Sequence, residues 1–213
     1  MNNKRLEKTI DFLTDLLFPK FCINCGKEGA YLCQDCRALM NISEHQYCLC
    51  EKPKVTSTGK CTQCQNKSLD GLYFAVSPQD QILQKILYEY RQNSVKDLSE
   101  TLASLIITHL RLLDNPQPWE DKKLITVPTP KDKIKKQGFD PTLKIAESLS
   151  EQLQLPLIES ALKTDFKIKK KVKGKKLLLA GITYENNEMN QWAELLKQNQ
   201  AKEVWGITVT RTK

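Results

Sequence analysis

Lys176-Leu177-Leu178-Leu179-Ala180-Gly181-Ile182 is the stretch on which the fold turns. A short apolar run without polar alternation is what a strand covered on both faces requires. Working outward, a helix is expected near Glu188 to Gln198 and another strand from Val204 to Thr210. On the other side, Leu124-Ile125-Thr126-Val127 has the same buried-strand character, and Pro128 and Pro130 end it. An amphipathic helix from Pro141 to Leu153 follows, with proline at its first turn. Further upstream, Asp70-Gly71 reads as a turn and Leu72 to Val76 as a strand. Ile82, Ile86 and Leu87 mark a helix, and a second runs from Asp97 to Leu113, with Leu98, Leu102, Leu105, Ile106 and Leu110 on one stripe. Asn115-Pro116-Gln117-Pro118 breaks it. Strand and helix alternate, which predicts an α/β domain with a mainly parallel sheet over residues 69–213. Ligands of such sheets bind beyond the carboxyl ends of the strands, here the loops after Val127 and Leu179.

All eight cysteines precede this domain, in the pairs Cys22/Cys25, Cys33/Cys36, Cys48/Cys50 and Cys61/Cys64. A CxxC turn aims two thiolates at one tetrahedral ion, and Gly26 suits the tight backbone behind Cys25. The segment 20–68 is therefore expected to be a double zinc-ribbon module with two structural zinc ions, its folding energy coming from the metal. Consecutive use of the pairs and an interleaved arrangement are both compatible with the spacing. Eight thiolates leave no open coordination position, which points to structural metal. A disulfide scaffold would need an export signal, and a redox dithiol needs one CxxC rather than several. His45 is expected to lie at the surface or in packing rather than on the metal.

The composition, 40% apolar and 27% charged, is that of a globular chain. No apolar run reaches the roughly 20 residues a membrane span needs. Residues 1–19 carry Leu6, Ile10, Leu13 and Leu17 at helical spacing and are interrupted by acids, so an amphipathic helix is expected rather than a signal peptide. A cytoplasmic location follows. The net charge of +8 suits a polyanionic partner.

Several motifs resemble one family. The cysteine module preceded by Leu17-Phe18-Pro19, the run Val127-Pro128-Thr129-Pro130 leading to Gln137-Gly138-Phe139-Asp140, and the ending Ala201 to Arg211 are similar, in the same order, to the ComF family of competence-associated proteins. The resemblance implies a zinc ribbon joined to a type I phosphoribosyltransferase fold. It also implies a role in natural transformation, with single-stranded DNA and proteins of the competence machinery as partners, and phosphoribosyl pyrophosphate (PRPP) with magnesium as ligands.

The chain departs from the family where PRPP would bind. Two adjacent acids and a Thr/Gly-rich loop are expected there, but Ala180 and Gly181 occupy the acid positions and Thr183-Tyr184-Glu185-Asn186-Asn187-Glu188 replaces the loop. Small residues let backbone amides close on a phosphate, whereas a carboxylate at Glu185 repels it. Glu89 stands where the family tends to have lysine, and the stretch between Leu157 and Lys175 is short. A degenerate, non-catalytic domain is expected, with any remnant of the ligand site at Ala180, Gly181, Thr183 and Glu185. The alternative is an active phosphoribosyltransferase with a rearranged loop, in which Glu185 and Glu188 supply the acids.

Seven lysines fall within Phe166 to Lys176, at the place of the family's active-site loop. Interleaved with Phe166, Ile168 and Val172, they predict an edge strand or hairpin. Lys169, Lys170, Lys171 and Lys173 are the candidate contacts to a nucleic-acid backbone, against the plainer reading of a solvated loop. Tyr88, Tyr90 and Arg91 could add base stacking, although core packing is the simpler use of the tyrosines.

Overall fold

A computed structural model of the chain describes residues 19–113 and 119–212. The helix expected over 1–19 lies outside them apart from Pro19. Two compact units divide the chain, Met1–Met40 and Asn41–Lys213.

In the first unit, Phe21 and Glu28 pair as an antiparallel bridge around the first cysteine knuckle. The amide of Gly26 donates to the Cys22 carbonyl at 2.8 Å, and Gly26 holds φ of +75°, a conformation that costs glycine nothing. Helix α1 (Gln34–Ala38) starts at Cys33, whose sulfur accepts from the amide of Cys36.

The second unit is a parallel α/β sheet. Strands β1 (Gly71–Phe74), β2 (Lys123–Thr126), β5 (Lys176–Tyr184) and β6 (Glu203–Arg211) lie in the order β1-β6-β5-β2, all parallel. Helices α2 (Gln81–Gln92) and α3 (Leu98–Leu112) follow β1, and α4 (Lys131–Gln137) and α5 (Pro141–Leu153) follow β2. A two-stranded antiparallel hairpin, β3 (Leu162–Lys163) with β4 (Lys167–Ile168), precedes β5, and α6 (Asn186–Gln198) joins β5 to β6.

Local chemistry sets the ends of these helices. Asp80 caps α2 by accepting from the amide of Leu83 at 2.9 Å. Asp140 caps α5 by accepting from the amides of Thr142 and Leu143, with Pro141 at the first helical position. Helix α4 was not anticipated, although Pro130 before it and Gly138 after it, at φ of +77°, are ordinary start and stop signals.

Leu177 and Leu179 of β5 pack with Trp192, Ala193 and Leu196 of α6. Their alternates, Leu178 and Ala180, point to the opposite face, where α3 and α5 pack on each other and on the sheet. Cys48, Leu49, Cys64 and Leu69 belong to the same buried cluster as Leu72, Trp192 and Val204. The second cysteine set is thus built into the α/β unit, and the compact boundary falls after Met40 rather than after residue 68. The expectation that metal alone supplies this segment's folding energy is corrected for that half, because Leu49 is fully buried in the core of the α/β unit.

Candidate functional site

The cysteines come together in consecutive sets. The sulfurs of Cys22, Cys25, Cys33 and Cys36 lie within 4.8 Å of one another, and so do those of Cys48, Cys50, Cys61 and Cys64. Zinc bonded to sulfur at about 2.3 Å in a tetrahedron sets its ligand atoms about 3.8 Å apart. Cys25 and Cys33 are 3.6 Å apart, Cys50 and Cys61 3.4 Å, and Cys61 and Cys64 3.7 Å. Donors converge on the sulfurs as thiolates require: the Lys54 amide on Cys48 at 3.2 Å, the Cys36 amide on Cys33 at 3.4 Å, and Asn24 Nδ2 on Cys36 at 3.3 Å. The Cys50–Cys61 contact pulls the Cys61 thiol down to about 6 and pushes Cys50 up to about 12. Crowded thiols cannot all ionise unless a cation neutralises them. Both sets fit a tetrahedral metal ion, and His45, exposed beside Tyr47, joins neither.

Beyond the carboxyl ends of β2 and β5 lies a cavity of about 340 Å³. One wall is the loop Val127 to Pro130 with Lys133 and Lys136 of α4; the other is Gly181 to Thr183 with Glu185, Glu188 and Met189. Thr129 Oγ1 donates to Asp140 Oδ1 at 2.7 Å, fixing the first loop to the start of α5. Arg91 Nη2 donates to Thr183 Oγ1 at 2.7 Å across the mouth. Burial, and then the charge of Glu185, push the Glu188 carboxyl above its usual range.

Strand β5 runs on to Tyr184, two residues past its expected end, and pairs with β6 as far as Arg211. Ala180 and Gly181 are therefore strand residues, with Ala180 buried between Thr126 and Ile207. Gly181, Thr183 and Glu185 line the cavity; Ala180 does not. No glycine-rich turn separates β5 from α6, so no loop of free amides closes at that place.

Lys169, Lys170, Lys171 and Lys173 are exposed, but none lines the cavity. The run enters β5 at its amino end, and the amide of Gly174 is tied to Gln200 at the far end of α6. The run thus lies away from the cavity, although in sequence it falls at the place of the family's active-site loop. Phe166, at the hairpin turn, stacks on Trp192 with ring centres 4.3 Å apart and planes 11° apart, and remains 46% exposed. Tyr90 is buried, its hydroxyl donating to the Pro141 carbonyl at 2.6 Å, so it offers no stacking face. Glu89 accepts from Asn93 at 2.7 Å. The charged cavity residues that the sequence left unread are Lys133 and Lys136, although Lys131-Asp132-Lys133-Ile134-Lys135-Lys136 between Pro130 and Gly138 carries the signal.

The sequence matches no family model and no curated protein. Among solved structures it is similar to a purine phosphoribosyltransferase from Pyrococcus horikoshii Ot3. The identity is 15%, over 57% of this chain and 84% of that one, with a TM-score of 0.32. A likeness of that degree assigns no residue here. No helix among the described residues is long and apolar enough to cross a membrane.

Proposed function

We propose that this chain is a non-catalytic, phosphoribosyltransferase-like protein of the ComF type that binds single-stranded DNA in the cytoplasm during DNA uptake. Each set of four cysteines holds one structural zinc ion, and competence proteins are its protein partners. The observation that carries the reading is the loop between the β3–β4 hairpin and β5: Lys169, Lys170, Lys171 and Lys173 are exposed there, and among the described residues none forms an ion pair. At the turn of that hairpin, Phe166, exposed and backed by Trp192, offers an aromatic face on which a base can stack. Catalysis is disfavoured by the absence of the acid pair and by two carboxylates at the start of α6, where a phosphate would be repelled.

Fluorescence anisotropy of a single-stranded oligonucleotide tests this. Binding at low salt should weaken steeply as salt rises. Replacing the four lysines with alanine should flatten the log–log slope by about 3, at about 0.7 for each phosphate no longer neutralised. Failure of the native chain to bind at low salt would remove the DNA reading.

One observation favours a second reading, an active phosphoribosyltransferase with a rearranged loop: Glu185 and Glu188 both line the cavity, as a displaced acid pair would. Calorimetry with PRPP and magnesium decides it. A micromolar isotherm supports catalysis, and no heat leaves the non-catalytic reading in place.

A further inference from the structure

A second cavity, of about 300 Å³, lies beyond the carboxyl ends of β1 and β6 and shares no lining residue with the first. Phe74, the last residue of β1, and Arg211, the last of β6, both line it. Tyr47, Glu51 and Pro53 come to it from the segment that carries Cys48 and Cys50, and Ser77 from the connection between β1 and α2. The volume lies at the lower end of small-molecule sites, which run from roughly 300 to 1,000 Å³.

Arg211 is the group in this cavity that asks for a ligand. It is only 6% exposed, and a buried cation is costly unless its charge is paired and its donors are filled. A guanidinium carries five N–H donors. Two of them meet the carbonyls of Cys48 and Cys50. Among the described residues no carboxylate pairs with it and no third acceptor reaches it. Glu51, exposed, lines the same cavity without forming an ion pair with it. The rings of Phe74 and Tyr184 lie 5.5 and 5.6 Å from the guanidinium, and the Tyr47 ring lies 5.6 Å from that of Phe74. Apolar surface therefore adjoins the charge.

We propose that this cavity binds a carboxylate borne on an aromatic or apolar group, the carboxylate on Arg211 and the group against Tyr47, Phe74 and Pro53. The guanidinium fork matches a carboxylate in plane. One cation that shares its cavity with Glu51 suits a single negative charge better than a doubly charged phosphate. A free small acid and the C-terminal residue of a partner chain carry the same chemistry. The inference goes beyond the DNA-binding reading and rests on none of its residues.

The test is calorimetry on the full zinc-loaded chain with N-acetylphenylalanine and its uncharged amide, N-acetylphenylalaninamide. The acid should bind at least about tenfold more tightly than the amide, since only the acid sets a charge against Arg211. Glu51→Gln should bind the acid several-fold more tightly and the amide as before, because a repelling carboxylate has been neutralised. Ser77→Phe fills the cavity from a half-exposed position and should lose at least about tenfold in affinity for the acid, with the Tm close to that of the native chain. No binding of the acid, weaker binding of it by Glu51→Gln, or unchanged binding by a folded Ser77→Phe would each overturn the proposal. Equal binding of acid and amide would do so too, and would leave Arg211 a purely structural cation. Phenylacetate and a short peptide ending in phenylalanine identify the source. Tighter binding of the peptide assigns a chain end, and tighter binding of phenylacetate assigns a free acid. Displacement of N-acetylphenylalanine by the same peptide with an amidated C-terminus would overturn the carboxylate assignment.

Discussion

Arg211, the last residue of β6, donates from Nη2 to the carbonyl oxygen of Cys50 at 2.6 Å, and its Nη1 reaches the Cys48 carbonyl at 3.2 Å. The guanidinium is buried, with the rings of Phe74 and Tyr184 5.5 and 5.6 Å away. The sheet therefore holds the backbone of the second cysteine set directly. Arg211→Met should cost about 2–3 kcal/mol, as expected for two charge-assisted bonds whose buried acceptors lose their partner. It should also speed zinc release from that set. Urea melts and a chromophoric chelator measure the two effects, and unchanged release kinetics would show that Arg211 does not position the set.

The two cysteine sets differ in what surrounds them. Cys64 is packed in the core of the larger unit, whereas Cys33 belongs to the first unit. Cys33→Ser and Cys64→Ser should each reduce bound zinc from two ions to one. Only Cys64→Ser should lower the melting temperature of the α/β unit, because core apolar residues and metal are continuous there. Elemental analysis paired with calorimetric melting checks both statements.

Gly71 in β1 lies opposite Trp205 of β6. A Cβ at Gly71 would stand 2.6 Å from Trp205 Cε3, inside van der Waals contact, and Tyr73 stacks on the same indole at 4.9 Å. Gly71→Ala must displace a ring held on both sides. A loss of about 2–3 kcal/mol is expected, in the range for overpacked cores. Chemical denaturation reads it, and a neutral result would mean that Trp205 has another rotamer open to it.

His109 of α3 is buried, and its Nδ1 lies 2.6 Å from the carbonyl of Ser43, to which it donates as neutral imidazole. Burial holds its pKa below the usual value. The folded state therefore favours the neutral ring, and the unfolded chain takes up the proton first as the pH falls. Stability from this group is complete above about pH 6.5, the ordinary histidine value, and declines below it. Denaturation midpoints of the native chain should fall between pH 7 and 5 by more than those of His109→Gln. Parallel pH profiles would remove His109 as the cause.

Much of the architecture was legible because burial writes itself into periodicity. Helix α5 was read over its full length, since Pro141 opens it and one apolar stripe runs through it. The unpatterned run from Leu177 to Leu179 could only be a strand covered on both faces. The cysteine pairs were legible as metal ligands, but their grouping was not, because spacing constrains the turn inside each pair and not which pairs meet. Helix α4 carries no apolar stripe to mark it, as its half-buried Ile134 is a single anchor in a lysine-rich turn. The extension of β5 to Tyr184 was also missed, because it depends on pairing with β6, whose partner residues lie almost thirty positions away.

By itself the sequence determined the parallel α/β class, the cysteine pairs of residues 22–64 and the absence of acids at Ala180 and Gly181. These rest on residue type and local pattern, which need no knowledge of what folds against what. Tertiary structure alone decided that the second cysteine set shares the core of the sheet and that the lysine run lies away from the cavity. It alone brought Arg91 against Thr183 and gathered Lys133, Lys136, Glu185 and Glu188 around one cavity. Those relations join residues from about 40 to more than 150 positions apart, and only the order of strands in the sheet brings such residues within reach.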